Sequence, residues 1–90
     1  MSPPYRTTAV FDETSLPAAI AREHRTKAGV WGIVRVLEGT VTYRVLEPPS
    51  VHQLSPDSPG RVLPDQPHRL EIEAGQKFRL QIEFYDHDPG

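Results

Sequence analysis

Polar and apolar residues alternate along most of this chain, the two-residue period of strands that bury one face. Val34 and Val36 flank Arg35 ahead of Glu38-Gly39, and Val41, Tyr43 and Val45 alternate with Thr42 and Arg44 beyond it. This predicts a hairpin of Gly29–Leu37 and Thr40–Glu47 about a tight Glu38-Gly39 turn, with Trp31 and Tyr43 opposed or neighbouring on it. Further strands are predicted at Tyr5–Phe11, Val51–Leu54, Arg61–Leu63, His68–Glu73 and Lys77–Tyr85, the last two joined by Ala74-Gly75-Gln76. Asp12-Glu13-Thr14-Ser15 reads as a turn in which Ser15 caps one or two helical turns through Pro17–Ala21. Pro48-Pro49-Ser50, Ser55–Gly60 and Pro64–Pro67 read as loops, and Asp86–Gly90 as a frayed tail.

About seven or eight short strands with one short helix make a mainly β fold. The expected architecture is a single domain over residues 1–90, a cupin-like jelly-roll β-barrel or sandwich whose interior holds a ligand or a metal. Two alternating faces in so small a barrel, with sheet edges open to promiscuous pairing, also predict a homodimer.

Composition narrows the function classes. Ninety residues leave no room for a methyltransferase or nucleotide-binding domain beside the barrel. The chain has no cysteine, which excludes disulfides, thiolate metal ligands and cysteine nucleophiles. A formal net charge of −2, with acids and bases interspersed, offers neither a basic stripe for nucleic acid nor a polybasic membrane anchor. Met1–Arg6 lacks the apolar core of a signal peptide, and no stretch approaches the ~18 apolar residues of a membrane span. A soluble, cytoplasmic protein is expected. Nucleophile motifs, phosphate loops and zinc-finger spacings are absent.

The candidate chemistry lies in two histidines. His24 opens His24-Arg25-Thr26-Lys27-Ala28-Gly29 and His68 follows Leu63-Pro64-Asp65-Gln66-Pro67. Each sits beside glycines or prolines that place it at the mouth of the barrel, and convergent imidazoles are the usual start of a divalent metal site. Strand alternation points His68 inward with Leu70 and Ile72, and puts Glu71 on the opposite face. His24 is either a ligand or a surface residue that stabilises the end of the short helix. Glu83 is a third ligand if the polar face of Phe78–Phe84 lines the cavity, and a solvated carboxylate if the apolar face does. Lys27 is the basic residue beside the site; it is either an ordinary solvated lysine or one that orients an anionic ligand. His52, in a Pro/Ser-rich loop, and His87, in the tail, read as solvated.

The segments His24–Gly32, Val36-Leu37-Glu38-Gly39, Pro64-Asp65-Gln66-Pro67-His68 and Ile82-Glu83-Phe84-Tyr85 resemble the TehB/YeaR-like domain family, over nearly the whole stretch from Tyr5 to Tyr85. The resemblance implies a compact cupin-like barrel, found alone or ahead of the methyltransferase of tellurite-resistance TehB, and associated with tellurite resistance and nitrate-responsive genes. It also points to His24, His68 and Glu83 as the equivalents of the family's recurring histidines and carboxylate. The chain departs from enzymatic cupins in having Lys27 and Gly32 near the places of their second histidine and glutamate. Tellurite methylation does not transfer to a chain without the methyltransferase.

Two functions are compatible with these residues. In one, His24, His68 and Glu83 hold a divalent metal, zinc or iron, with open positions for a small oxyanion, water or dioxygen. In the other, the domain is a non-catalytic module that binds a small molecule or a protein, and its histidines are structural.

Overall fold

The computed structural model describes residues 3–90; Met1 and Ser2, the start of the amino-terminal stretch considered above, lie outside the described residues. The chain is mainly β with one short helix: β1 (Arg6–Thr7), β2 (Phe11–Asp12), α1 (Ala18–Ala21), β3 (Trp31–Glu38), β4 (Val41–Leu46), β5 (Pro49–Leu54), β6 (Gly60–Val62), β7 (His68–Glu71) and β8 (Arg79–Tyr85). Two antiparallel sheets form, one in the order β1-β8-β3-β6 with β2 also on β8, the other in the order β5-β4-β7. They pack through one core, to which the first sheet supplies Val34, Val36, Val62, Leu80 and Ile82 and the second Val41, Tyr43, Val45, Leu54 and Leu70. The alternation read from the sequence is the alternation of this core: β4 buries Val41, Tyr43 and Val45, and β7 buries His68 and Leu70. Among the described residues the sheets form no closed barrel.

The expected hairpin at Glu38-Gly39 does not form. Both sides of β3 are occupied, by β8 and β6, and both sides of β4, by β5 and β7, so the two strands belong to different sheets and Glu38-Gly39 is the corner between them. Trp31 is accordingly opposite Tyr85 on β8, in the other sheet from Tyr43. The same holds for β7 and β8, which Ala74-Gly75-Gln76 connects across the sheets. The tight hairpin is instead β4–β5, with Leu46 opposite Pro49 around Glu47-Pro48. Prolines mark that segment as a loop in the sequence, but β5 is an edge strand, where a missing ladder donor is tolerated.

Smaller differences have local causes. The first strand divides in two because the Thr8 hydroxyl accepts the Ile82 N–H at 3.0 Å and takes a carbonyl's place in the ladder. Ser15 does not cap α1: its hydroxyl accepts the Asp12 N–H at 2.9 Å, while Asp12 Oδ1 accepts from the backbone of Thr14 and Ser15. Pro17 stands at the N-cap without a side-chain bond. The tail is tied down where Asp88 pairs with Arg61. Among the described residues no helix is long and apolar enough to cross a membrane.

Candidate functional site

A pocket of about 380 Å³ opens between the two sheets, closed at one side by the segment that follows α1. Its wall is apolar: Val34 from β3, Val62 from β6, Leu70 from β7, and Ile82 and Phe84 from β8. Gly32 keeps this wall open, since a Cβ there would lie 3.3 Å from that of Val62.

The polar side is His24 and His68. The two residues exchange backbone hydrogen bonds of 2.9 Å in each direction, an isolated bridge that extends the edge of β7 by one pair. Their rings meet edge to face, with centroids 4.2 Å apart and Nε2 atoms 3.0 Å apart. The Nδ1–H of His68 donates to the Gln66 carbonyl at 2.8 Å, and the Nδ1–H of His24 to the Arg22 carbonyl at 3.0 Å. A carbonyl only accepts, so each ring has its proton on Nδ1 and turns its Nε2 lone pair toward the other ring. The pair is therefore set to close on a proton, or on another electrophile, placed between the two Nε2 atoms.

His68 is 3% exposed. Burial holds its pKa below the ordinary imidazole value, the neighbouring His24 acts in the same direction, and the Gln66 carbonyl opposes both. Tyr43 stands edge-on to His68 with centroids 5.6 Å apart. Burial pushes its phenol up to about 12, so it stays protonated and donates to the Arg61 carbonyl at 3.3 Å.

Of the three candidate ligands, the fold brings His24 and His68 together and leaves Glu83 apart. The apolar face of β8 turns inward, as Leu80 and Ile82 show, and Glu83 lies on the other face, 3.1 Å from Arg35 Nε and accepting the Tyr85 hydroxyl at 3.1 Å. Glu71 is on the outer face of β7, as the alternation predicts, held by Arg44 at 2.7 Å and Arg69 at 2.8 Å. Among the described residues no group of three His, Cys, Asp or Glu is placed to hold a metal. His52 bonds Ser50 and His87 bonds Asp86, both away from the pocket.

Lys27 does line the pocket, and Arg6 and Arg25 join it there. Arg6 has no signal in the sequence: it arrives because β1 is laid beside the far end of β8, with Arg6 opposite Phe84. The loop that carries Lys27 is closed by the Thr26 hydroxyl, which donates to the Val30 carbonyl at 2.8 Å, and by the Val30 N–H, which donates to the Lys27 carbonyl at 3.1 Å.

Known proteins share this arrangement of strands. TehB from Haemophilus influenzae is 28% identical, with a TM-score of 0.78 over 90% of this chain; the chain spans only 30% of the TehB structure's length. An Escherichia coli K12 protein of known crystal structure is 22% identical, with a TM-score of 0.79 over 90% of this chain and 86% of its own, a likeness of fold. No curated protein sequence matches. The TehB-like domain profile matches residues 6–82, and the chain belongs to the TehB-like domain family.

Proposed function

We propose that this domain binds a small molecule in the pocket between its sheets, with the His24–His68 pair as the polar anchor. The observation that carries this is the commitment of both Nδ1–H groups to backbone carbonyls, which leaves two convergent Nε2 atoms at the edge of an apolar cavity. The cavity between two sheets also supports reading the fold as a cupin-like jelly-roll, and the open edge strand β5 supports its working as a homodimer, in the cytoplasm. The stress-response association of the family, tellurite above all, makes oxyanions natural ligands to try. No catalytic step is assigned.

The same observation favours a second occupant, a divalent metal, zinc or iron. Imidazoles oriented by Nδ1–H bonds to carbonyls are the usual form of metal-ligating histidine. His24 and His68 fit two positions of such an ion, whereas Glu83 is held by Arg35 and does not fit the third. The metal would then take its other ligands from water or from the molecule in the pocket, and would supply Lewis-acid polarisation of that molecule.

Phenylacetamide, a neutral amphipath, tests the pocket. In an NMR titration of the isotope-labelled chain it should shift the ring nitrogens of both histidines and the methyl groups of Val34 and Leu70. An absence of shifts into the millimolar range with phenylacetamide and with its carboxylate counterpart alike, or shifts confined to other surfaces, would overturn the proposal. Zinc added in calorimetry tests the second occupant, with loss of binding expected in His24→Ala and His68→Ala and retention in Glu83→Gln.

A further inference from the structure

The charged residues are divided unevenly between the pocket and the rest of the molecule. The chain has more acids than bases, twelve Asp and Glu against ten Lys and Arg, yet no acidic side chain lines the pocket while Arg6, Arg25 and Lys27 all do. Arg25 is engaged by Asp65 at 3.2 Å. Among the described residues neither Arg6 nor Lys27 enters an ion pair, although six such pairs form away from the pocket, involving Arg35, Arg44, Arg61, Arg69, Arg79 and His87. Both are exposed, so their ammonium and guanidinium groups are free to meet an incoming charge.

The wall behind these cations is hydrocarbon. Ile20, Val30 and Phe84 are half-buried and keep part of their apolar surface open to the pocket, in front of the buried Val34, Val62, Leu70 and Ile82. An inorganic oxyanion would satisfy the cations but leave this wall facing water. A neutral hydrocarbon would cover the wall but leave the cations without a counter-charge. The cavity's 380 Å³ is about a dozen times the ~30 Å³ that one water occupies in the liquid, room for a ring or a short chain rather than a single ion.

We propose that the ligand is an organic anion: a carboxylate, or a head group of like charge, on a compact apolar body. The head lies against Lys27, Arg6 and the histidine pair, and the body against Ile20, Val30 and Phe84, over the buried Val34 and Leu70. This rests on the pocket-binding proposal above and adds the sign of the ligand's charge and the need for both of its parts. Long-range attraction from a mouth with no acidic side chain also speeds the encounter with an anion and repels organic cations of the same shape.

Four probes of matched design test it on the full chain by calorimetry and NMR: phenylacetate, phenylacetamide, 2-phenylethylamine and acetate. Phenylacetate is expected to bind at least tenfold more tightly than the amide, with the amine and acetate weaker still. Raising the salt concentration should weaken the carboxylate and leave the amide unchanged. Lys27→Gln, at an exposed position where folding is not at stake, should weaken phenylacetate about two- to fivefold without affecting the amide. Equal binding of amide and carboxylate would overturn the anion assignment and leave the pocket as a neutral-ligand site. Acetate binding as tightly as phenylacetate would overturn the requirement for an apolar body. Failure of the whole series, amide included, would remove the pocket proposal itself.

Discussion

His24 and His68 are joined twice, through reciprocal backbone hydrogen bonds of 2.9 Å and through ring nitrogens 3.0 Å apart. The backbone bridge fixes the distance between the two Cβ atoms, and the bonds from Nδ1–H to the Arg22 and Gln66 carbonyls fix the planes of the rings. Little freedom remains for the Nε2 atoms to separate, so the pair meets a ligand already oriented.

Removing either imidazole leaves different groups exposed to loss. His68→Leu puts an apolar side chain into a buried position, but it strips the Gln66 carbonyl of its donor and His24 Nε2 of its partner; an unsatisfied buried polar group costs about 1–3 kcal/mol. A fall in melting temperature of about 5–15 °C is expected for a domain of this size. His24→Leu, at a half-buried position where water replaces the lost partners, should cost less. Thermal melts of the two variants check the order, and a smaller loss at His68 than at His24 would count against the hydrogen-bond assignment.

Stability should also depend on pH through His68. Its folded pKa lies below the unfolded value of 6.5, so the unfolded chain binds the proton more readily. The contribution is complete above about pH 6.5 and is lost as the pH falls from there toward the depressed folded value. A second decline should begin nearer pH 4.5, where Glu71, held low chiefly by its hydrogen bond to Arg44, starts to lose its advantage over the unfolded chain. Melting the metal-free, chelator-treated protein between pH 8 and pH 3.5 should therefore give two separate losses. The upper one should disappear in His68→Leu and persist in Glu71→Gln.

How far the sequence carried these conclusions differs by element. The period of two identified the buried faces of β4 and β7 and placed His68 inward and Glu71 outward, because side-chain direction in a strand is a local property. It did not reveal which strands pair. Glu38-Gly39 has the composition of a hairpin turn, and only the occupation of both sides of β3 and of β4 shows that it is a corner. The face of β8 that carries Glu83 was undecided for a related reason: alternation shows that two faces differ, and the packing of Leu80 and Ile82 into the core decides which is inside. Arg6 was illegible at the site, since its place there depends on a contact with Phe84 across most of the chain.

The carboxylates supply a control for metal binding. Glu71 and Glu83 are each neutralised by arginine on outward faces, so Glu71→Gln and Glu83→Gln should leave zinc affinity within about twofold of the parent, the scale on which a surface charge is felt. Stability should change by no more than about 1 kcal/mol in each, since both ion pairs are partly exposed. A marked loss of zinc in Glu83→Gln alone would mean that β8 turns its polar face to the pocket in solution.

The corner at Gly39 makes the last prediction, and Gly75 provides its reference. Both glycines adopt φ of +79°, in the left-handed region where a side chain costs roughly 1–2 kcal/mol. They differ in surroundings. A Cβ at Gly75 would meet nothing within 4 Å, whereas one at Gly39 would lie 2.6 Å from the Lys77 carbonyl oxygen and 3.3 Å from the Phe78 Cα. Those atoms are backbone just ahead of β8, and Phe78 is buried in the core, so they have no side-chain rotation by which to yield. Gly75→Ala should therefore show only the conformational penalty, a drop of about 5–10 °C, and Gly39→Ala a larger drop. Because the corner sets how β3 and β4 diverge into the two sheets that wall the pocket, Gly39→Ala should also weaken phenylacetate binding at temperatures where it remains folded. Equal melting temperatures for the two variants would show that the corner is free to open, and would remove Gly39 as a determinant of the pocket's shape.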